Sequence, residues 1–348
     1  MNSKEVIENI KKRRENIING KVNCIPSPFI NKSKRGFIGI EQKRYYLLTA
    51  GTKVGKTQLA SFVFLYTALE FAYNNPSQCD LTIHYINLEE DEQQIYLRYM
   101  SYLLFKFHDV IVNPTELNST VEAVNERYLS YLEDDNIKNR LDFFDSHVIF
   151  KPELRTSLSI SNYLENYAKT HLKTKNAKYY RDETDYDIVI VDHIGKLSYK
   201  ESLRKAIDFL STSFVNLRNT YKYTIVCIQQ QDASQEGWDA KKLKSAEPGK
   251  ATLSENKNVP NDCDMMIGLF SPDRLQLETY KGYNISVLGN FFRTFSVNIN
   301  RNGSTSEDMP LYFIGDSCCF IQLPSPKDKR MVDIYRKAEI NQHPIFKL

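Results

Sequence analysis

The sequence predicts an α/β fold: a mainly parallel central sheet flanked by helices, with a β-hairpin toward the C-terminus. Three observations carry that expectation. Runs of consecutive Ile and Val, such as "DIVIVD" at 187–192, describe strands with no solvent face, as in a parallel sheet buried between helices. Comparable runs recur at 45–49, 82–88, 223–229 and 264–270, with helical patterns between them. Near the end the pattern changes to polar–apolar alternation around a turn, in "FRTFSVNINRNGSTSEDMPLYFIGDSCCFIQL", which predicts a hairpin added to the sheet.

In chain order, residues 3–18 carry apolar side chains at Val6, Ile7, Ile10, Ile17 and Ile18, an imperfect helical stripe on a charged segment. The basic run Lys11 to Arg14 suits a targeting or nucleic-acid patch, or more simply the solvated face of that helix. The prolines and glycines of "CIPSPFINKSKRGFIG" predict an extended linker. A linker helix and extended segment are therefore expected at 1–35, a core at 36–325 and a basic tail at 326–348, flexible or helical. The polar run "KTHLKTKNAKYYRDETD" is expected to be a helix end and loop before the strand at 187.

Composition narrows the class. A chain of 348 residues is long enough for one large or two ordinary domains, and 41% hydrophobic with 26% charged residues is ordinary for a globular protein. A net charge of +3 is too small to argue nucleic-acid binding by itself. The six cysteines show no CxxC pair and no metal spacing, which predicts free thiols in a reducing compartment. The N-terminus lacks an apolar signal region, and even "FVFLYTALEF" meets Glu70, too early to cross a bilayer. A soluble, cytoplasmic chain without membrane partners is expected.

The chemistry begins at "AGTKVGKT": Ala50, Gly51, Thr52, Lys53, Val54, Gly55, Lys56 and Thr57. It meets the phosphate-binding pattern GxxxxGK[ST] except at Ala50, and lies between a strand and a helix as that pattern requires. Gly55 permits the tight turn, and successive N–H groups and the helix N-terminus converge on phosphate oxygens. Lys56 is placed to reach the β- and γ-phosphates of ATP, and the Thr57 hydroxyl to ligate Mg²⁺. "DIVIVDHIG" delivers Asp192 at the C-terminal edge of a buried strand, where it can join the Mg²⁺ shell. In "HYINLEEDEQQ", Glu89 follows another strand and can polarise a water aimed at the γ-phosphate. Its neighbour Glu90 competes for that role, and both also suit the acidic start of the next helix.

The order and spacing of these pieces resemble the RecA-type ATPase core, and most closely the DnaB-type replicative helicases. "NLEE" at 87–90 resembles the family's Ser-Leu-Glu motif, whose Glu is the catalytic base, with Glu89 in register. "IVIVDH" resembles its metal-binding strand, with His193 where tyrosine is common. "IVCIQQQD" places Gln230 at the position of a glutamine that senses nucleotide, and Asp262 and Asp264 resemble an Asp-x-Asp segment before an apolar strand. "NRNG" at 300–303 resembles a Lys-x-Arg-Asn-Gly hairpin, so the resemblance implies that Arg301 projects into a neighbouring subunit's nucleotide. Ile299 stands where the hairpin's lysine is expected. The likeness spans residues 36–323 without the family's primase-binding N-terminal domain, an architecture expected of a phage or mobile-element protein acting in a host cytoplasm. Residues 3–18 correspond to the family's linker helix.

The resemblance implies a helicase motor on single-stranded DNA, an ATP- and Mg²⁺-dependent homo-oligomer, as a hexameric ring, with a primase or loader as partner. A DNA-remodelling ATPase without unwinding and an ATP-binding scaffold or loader are the alternatives. DNA contacts are expected from Lys196, Lys200 and Arg204 after the Asp192 strand, and from Lys241, Lys242, Lys244 and Lys250 after the Gln230 strand. Each of these is equally consistent with a solvated lysine-rich loop.

Overall fold

The computed structural model describes residues 3–30, 36–175, 178–232, 247–253, 258–340 and 342–343. Its centre is a nine-stranded sheet: β1 (Tyr45–Ala50), β2 (Asp80–Asn87), β3 (Val148–Phe150), β4 (Asp185–Asp192), β5 (Thr224–Gln230), β6 (Met265–Phe270), β7 (Phe292–Asn300), β8 (Ser306–Ile314) and β9 (Cys319–Gln322). The spatial order is β9-β8-β7-β6-β1-β5-β4-β2-β3. The pairings from β6 through β1, β5, β4 and β2 to β3 are parallel. Strands β7, β8 and β9 add on antiparallel, as the C-terminal alternation predicts.

The apolar runs become central strands because the helices cover both faces. All six residues of β1 and of β6 are buried. The pleat divides them between two cores. Tyr46, Leu48, Ile188, Ile190, Val226 and Ile228 face one side; Tyr45, Leu47, Val189, Val191, Ile225 and Cys227 face the other. The first core is roofed by α2 (Lys56–Ala60), which continues through a π-helical stretch (Ser61–Tyr66) into α3 (Thr67–Asn74), and by α4 (Glu92–His108) and α5 (Asp135–His147). The second is roofed by α6 (Ser157–His171) and α7 (Leu203–Tyr221). Side chains close these helix starts: Asp91 Oδ1 accepts the Gln94 N–H at 2.9 Å, Thr156 forms a capping box with Ser159, and Ser202 Oγ accepts the Lys205 N–H at 3.2 Å.

Two segments differ from expectation. The stretch expected to be a free linker is anchored on both sides, at residues 25–30 and 36–40. Ile25–Pro26 pairs with Gly39–Ile40, and Phe29 and Phe37 enter the first core, with ring centroids 5.5 and 5.7 Å from Phe295. Burying two phenylalanines outweighs the turn-forming bias of the intervening residues. The polar run after α6 forms a small hairpin, Lys173–Lys175 against Lys178–Tyr180, rather than a plain loop.

Outside the sheet, Ser3–Ile18 (α1) is helical and buries no residue, leaving its apolar stripe exposed. Near the C-terminus Arg330–Glu339 (α8) buries Met331, Ile334 and Ala338 along one face. Among the described residues no helix is long and apolar enough to cross a membrane, and no cluster of His, Cys, Asp and Glu could hold a metal ion by itself.

Candidate active site

Every parallel strand ends at the same edge of the sheet, and the chemistry-bearing loops gather there. Ala50 at the end of β1 pairs with Gln230 at the end of β5, and Asn87 at the end of β2 with Asp192 at the end of β4. Between Ala50 and α2 the chain makes a tight reversal, with Lys53 at φ 56° and Gly55 at φ 104°. A side chain at Gly55 would be strained by that φ and would press 3.3 Å from the Phe313 ring. Gly55 has no side chain to cap α2, so the first helical N–H groups face the loop. Gln230 Nε2 donates to Thr52 Oγ1 at 2.7 Å, tying the end of β5 to the loop.

Asp192 lies behind Thr57, whose side chain favours the ionised carboxylate. Tyr85 donates to Oδ2 at 3.4 Å, while Oδ1 is fully buried and has no partner. Loss of solvation pushes this carboxyl up to about 6, against the pull of Thr57. A buried carboxylate oxygen with an unused lone pair, beside a serine-type hydroxyl, is the donor set a hard divalent cation such as Mg²⁺ takes. The residues fit that ion.

The two adjacent glutamates go separate ways. Asn87 Oδ1 accepts the Glu90 N–H at 3.0 Å, and Arg155 Nη1 donates to the Leu88 carbonyl at 2.5 Å, so the bend after β2 is held from both sides. Glu90 is engaged by the Arg98 guanidinium through both oxygens, one contact at 2.6 Å. Glu89 turns the other way, toward His193 Nε2 at 3.2 Å and Lys196 Nζ at 3.8 Å. Burial and the nearby Lys56 charge, opposed by Glu89, pull the His193 imidazole down to about 4. The ring is therefore neutral at pH 7. Its Nδ1 accepts the Gly195 N–H at 3.2 Å, so Nε2 carries the hydrogen, on the side of the ring that faces Glu89.

The model of the DnaB-like helicase C-terminal domain family matches residues 29–322. The chain belongs to that family. A solved structure described as "The Structure Of A DnaB-Like Replicative Helicase And Its Interactions With Primase" superposes with a TM-score of 0.66 at 14% identity, covering 93% of this chain and 67% of that one. At that identity the likeness is one of fold. A KaiC-like protein from Pyrococcus horikoshii aligns with a TM-score of 0.43 at 14% identity over 86% of this chain and 100% of its own. A search of curated proteins finds no match.

In this DnaB-like domain Arg301 lies away from the cluster. Its N–H donates to the Asp264 carbonyl at 2.9 Å, and the Asp264 N–H to the Tyr45 carbonyl at 2.8 Å. That is the start of β1, and five residue steps, about 17 Å, separate it from the phosphate-loop end of the same strand. Its side chain reaches the Asn261 carbonyl and is exposed. Asp264 Oδ2 accepts the Tyr45 N–H at 2.8 Å and Arg218 Nη1 at 2.6 Å, and Asp262 accepts from Ser211 at 2.7 Å. Asp264 thus fastens the start of β1, and Asp262 ties the segment before β6 to α7. Lys196, Lys200 and Arg204 are exposed beyond β4, and Lys250 contacts Asn261. Lys241, Lys242 and Lys244 lie outside the described residues.

Sequence reasoning passed over three residues that shape this site. Arg155 and Arg98 hold the bend that separates Glu89 from Glu90. Arg293 donates to the Val54 carbonyl at 2.7 Å. A lone cation inside "FFRTFSV" was the available signal for the last.

Proposed function

We propose that this chain is the ATP-driven motor of a DnaB-type helicase, hydrolysing ATP to move on single-stranded DNA as a ring of identical subunits. The observation that carries the reading is the convergence of Lys56 and Thr57, the unpartnered Asp192 oxygen and Glu89 at one sheet edge. Lys56 binds the β- and γ-phosphates, and the loop N–H groups cradle them. Thr57 and Asp192 would hold Mg²⁺, which supplies charge neutralisation on the β- and γ-oxygens. A cavity of about 990 Å³ opens beside α2, lined in part by Gln58, Phe313, Gly315 and Asp316, and would take the nucleoside.

Glu89 is the general base. It accepts a proton from water as the water oxygen bonds the γ-phosphorus and the bond to the bridging oxygen breaks, releasing phosphate and ADP. The neutral His193 ring, with its Nε2–H 3.2 Å from the carboxylate, would steady Glu89 for that role. Gln230, joined to Thr52, moves with the loop and relays nucleotide state to the segment after β5. Arg301, far from its own phosphate loop, would complete the site of a neighbouring copy and there stabilise charge in the transition state.

The test is ATPase activity with and without single-stranded DNA, alongside unwinding of a forked duplex, for the parental chain and Lys56→Ala. DNA-stimulated hydrolysis and unwinding, both lost in a folded Lys56→Ala variant, are expected. Stimulated hydrolysis without unwinding would indicate a DNA-remodelling ATPase. Nucleotide binding without hydrolysis would indicate a scaffold.

A further inference from the structure

Arg293 opens β7 at the same sheet edge as the phosphate loop, and only 1% of it is exposed. Its guanidinium is engaged almost completely, and by neutral acceptors. Nε donates to the Val54 carbonyl at 2.7 Å, Nη1 to the Asn290 and Phe292 carbonyls at 2.9 and 2.8 Å, and Nη2 to Asn290 Oδ1 at 2.8 Å. The cation lies over the Phe313 ring, 4.8 Å from its centroid. That ring is also the surface against which Gly55 turns. Among the described residues, no carboxylate lies within ion-pair distance of it. Asp273 acts on it only at longer range and is opposed by Arg274.

A buried cation whose partners are all neutral is an expensive feature, since it gives up hydration without gaining a countercharge. Neutral Gln or Met could satisfy part of the same space. The position gives the charge a use. Val54 is the residue before the Gly55 turn, and its carbonyl is drawn back into the protein by the guanidinium, which fixes the peptide planes whose N–H groups remain for a ligand. Burial lowers the guanidinium only to about 10, so it stays charged at pH 7.

We propose that Arg293 is the positioning residue of the phosphate loop: it locks the loop through Val54 and supplies a fixed positive charge behind it that is compensated when a polyphosphate binds. This rests on the reading of residues 50–57 as a nucleotide site, and goes beyond it by assigning a second cation, from β7, to the same ligand. A brace alone would affect every nucleotide equally. A fixed charge discriminates by the number of phosphates.

The experiment is equilibrium binding of Mg²⁺ complexes of ADP and of a non-hydrolysable ATP analogue to the full chain. The variants are the parental chain, Arg293→Gln, Arg293→Lys and, as a control, Lys56→Ala, each checked for fold by circular dichroism and by melting without nucleotide. Arg293→Gln should weaken the triphosphate by roughly tenfold, the scale of one charge several ångströms from a polyphosphate under protein-like screening, and the diphosphate less. Arg293→Lys keeps the charge but cannot span Val54 and Asn290 together; it should recover the preference for triphosphate while remaining weaker than parental. Parental affinity for both nucleotides in a folded Arg293→Gln overturns the proposal. Equal losses for both overturn the charge and leave only a brace. If Arg293→Gln does not fold, Arg293→Lys decides: parental affinity there removes the brace. Should Lys56→Ala also bind like parental, the nucleotide-site reading itself fails, and that result is distinct from any Arg293 outcome.

Discussion

Asp192 is a carboxylate held where water does not reach, with one oxygen spent on neighbours and the other on nothing. Its carboxyl is raised from 3.8 to about 6, so in the absence of metal its ionisation works against folding. The folded form binds the proton more tightly than the unfolded chain. The penalty is therefore absent below about pH 4 and fully present above about pH 6. Asp192→Asn should raise the stability of the magnesium-free protein at pH 7 by about 1–3 kcal/mol and flatten its stability between pH 4 and 7. It should also lose the melting-temperature increase that Mg²⁺ with nucleotide gives the parental chain. Thermal melts across that pH range, with and without Mg-ADP, check both halves. A lower melt for the variant at pH 7 would mean that the Asp192 charge is compensated in the folded chain. The neighbouring glutamates allow a cleaner separation. Glu89→Gln should leave the melt unchanged and slow hydrolysis by about 10² or more. Glu90→Gln should instead lower stability by about 1 kcal/mol through the loosened Arg98 contact, with a smaller loss of rate. Single-turnover rates and melts on the same samples tell the two apart, and the opposite pattern would reassign the base to Glu90.

At the scale of elements, the phosphate loop works because one residue can adopt a conformation that others resist. Gly55→Ala meets both the left-handed φ and the Phe313 ring, and should lower stability by about 1–2 kcal/mol. Nucleotide affinity should fall with it, since the turn that aims the N–H groups must shift; calorimetric titration with Mg-ADP and a melt measure the two effects, and unchanged values in both would show the turn to be pliable. Much of this architecture is legible in the sequence for a physical reason. Strands such as β1 and β4 are covered on both faces and so must be apolar throughout, and Lys56, Glu89 and Asp192 each stand just beyond such a run. What is not legible depends on contacts with backbone. Arg155 and Arg293 meet carbonyls of Leu88 and Val54, and no residue type marks a carbonyl acceptor. The hairpin at 173–180 and the three-residue β3 are too short to show a period. The packing of Phe29 and Phe37 depends on the π-helical stretch after α2 and on β7 being present to receive them.

For the whole molecule, the decisive distance is the length of β1, which separates Arg301 from its own phosphate loop. If Arg301 acts on a neighbour, Arg301→Ala should leave ATP affinity nearly unchanged while hydrolysis falls by about 10³ or more. Mixing it with Lys56→Ala should restore part of the activity, because some interfaces then pair an intact loop with an intact arginine. Native mass spectra must show mixed assemblies. No recovery in confirmed mixtures would place Arg301 within its own chain or outside the reaction.

If Arg301 serves a neighbour, each chain offers its arginine at one end of β1 and receives one at the other; where copies repeat that contact head to tail, it runs in one direction until the ends meet. An open row of n chains then holds n − 1 complete sites, and only closure completes the last. Hydrolysis per chain should therefore rise with protein concentration and level off where the row closes on itself. A single copy, however well folded, would carry both halves of a catalytic site and be unable to bring them together.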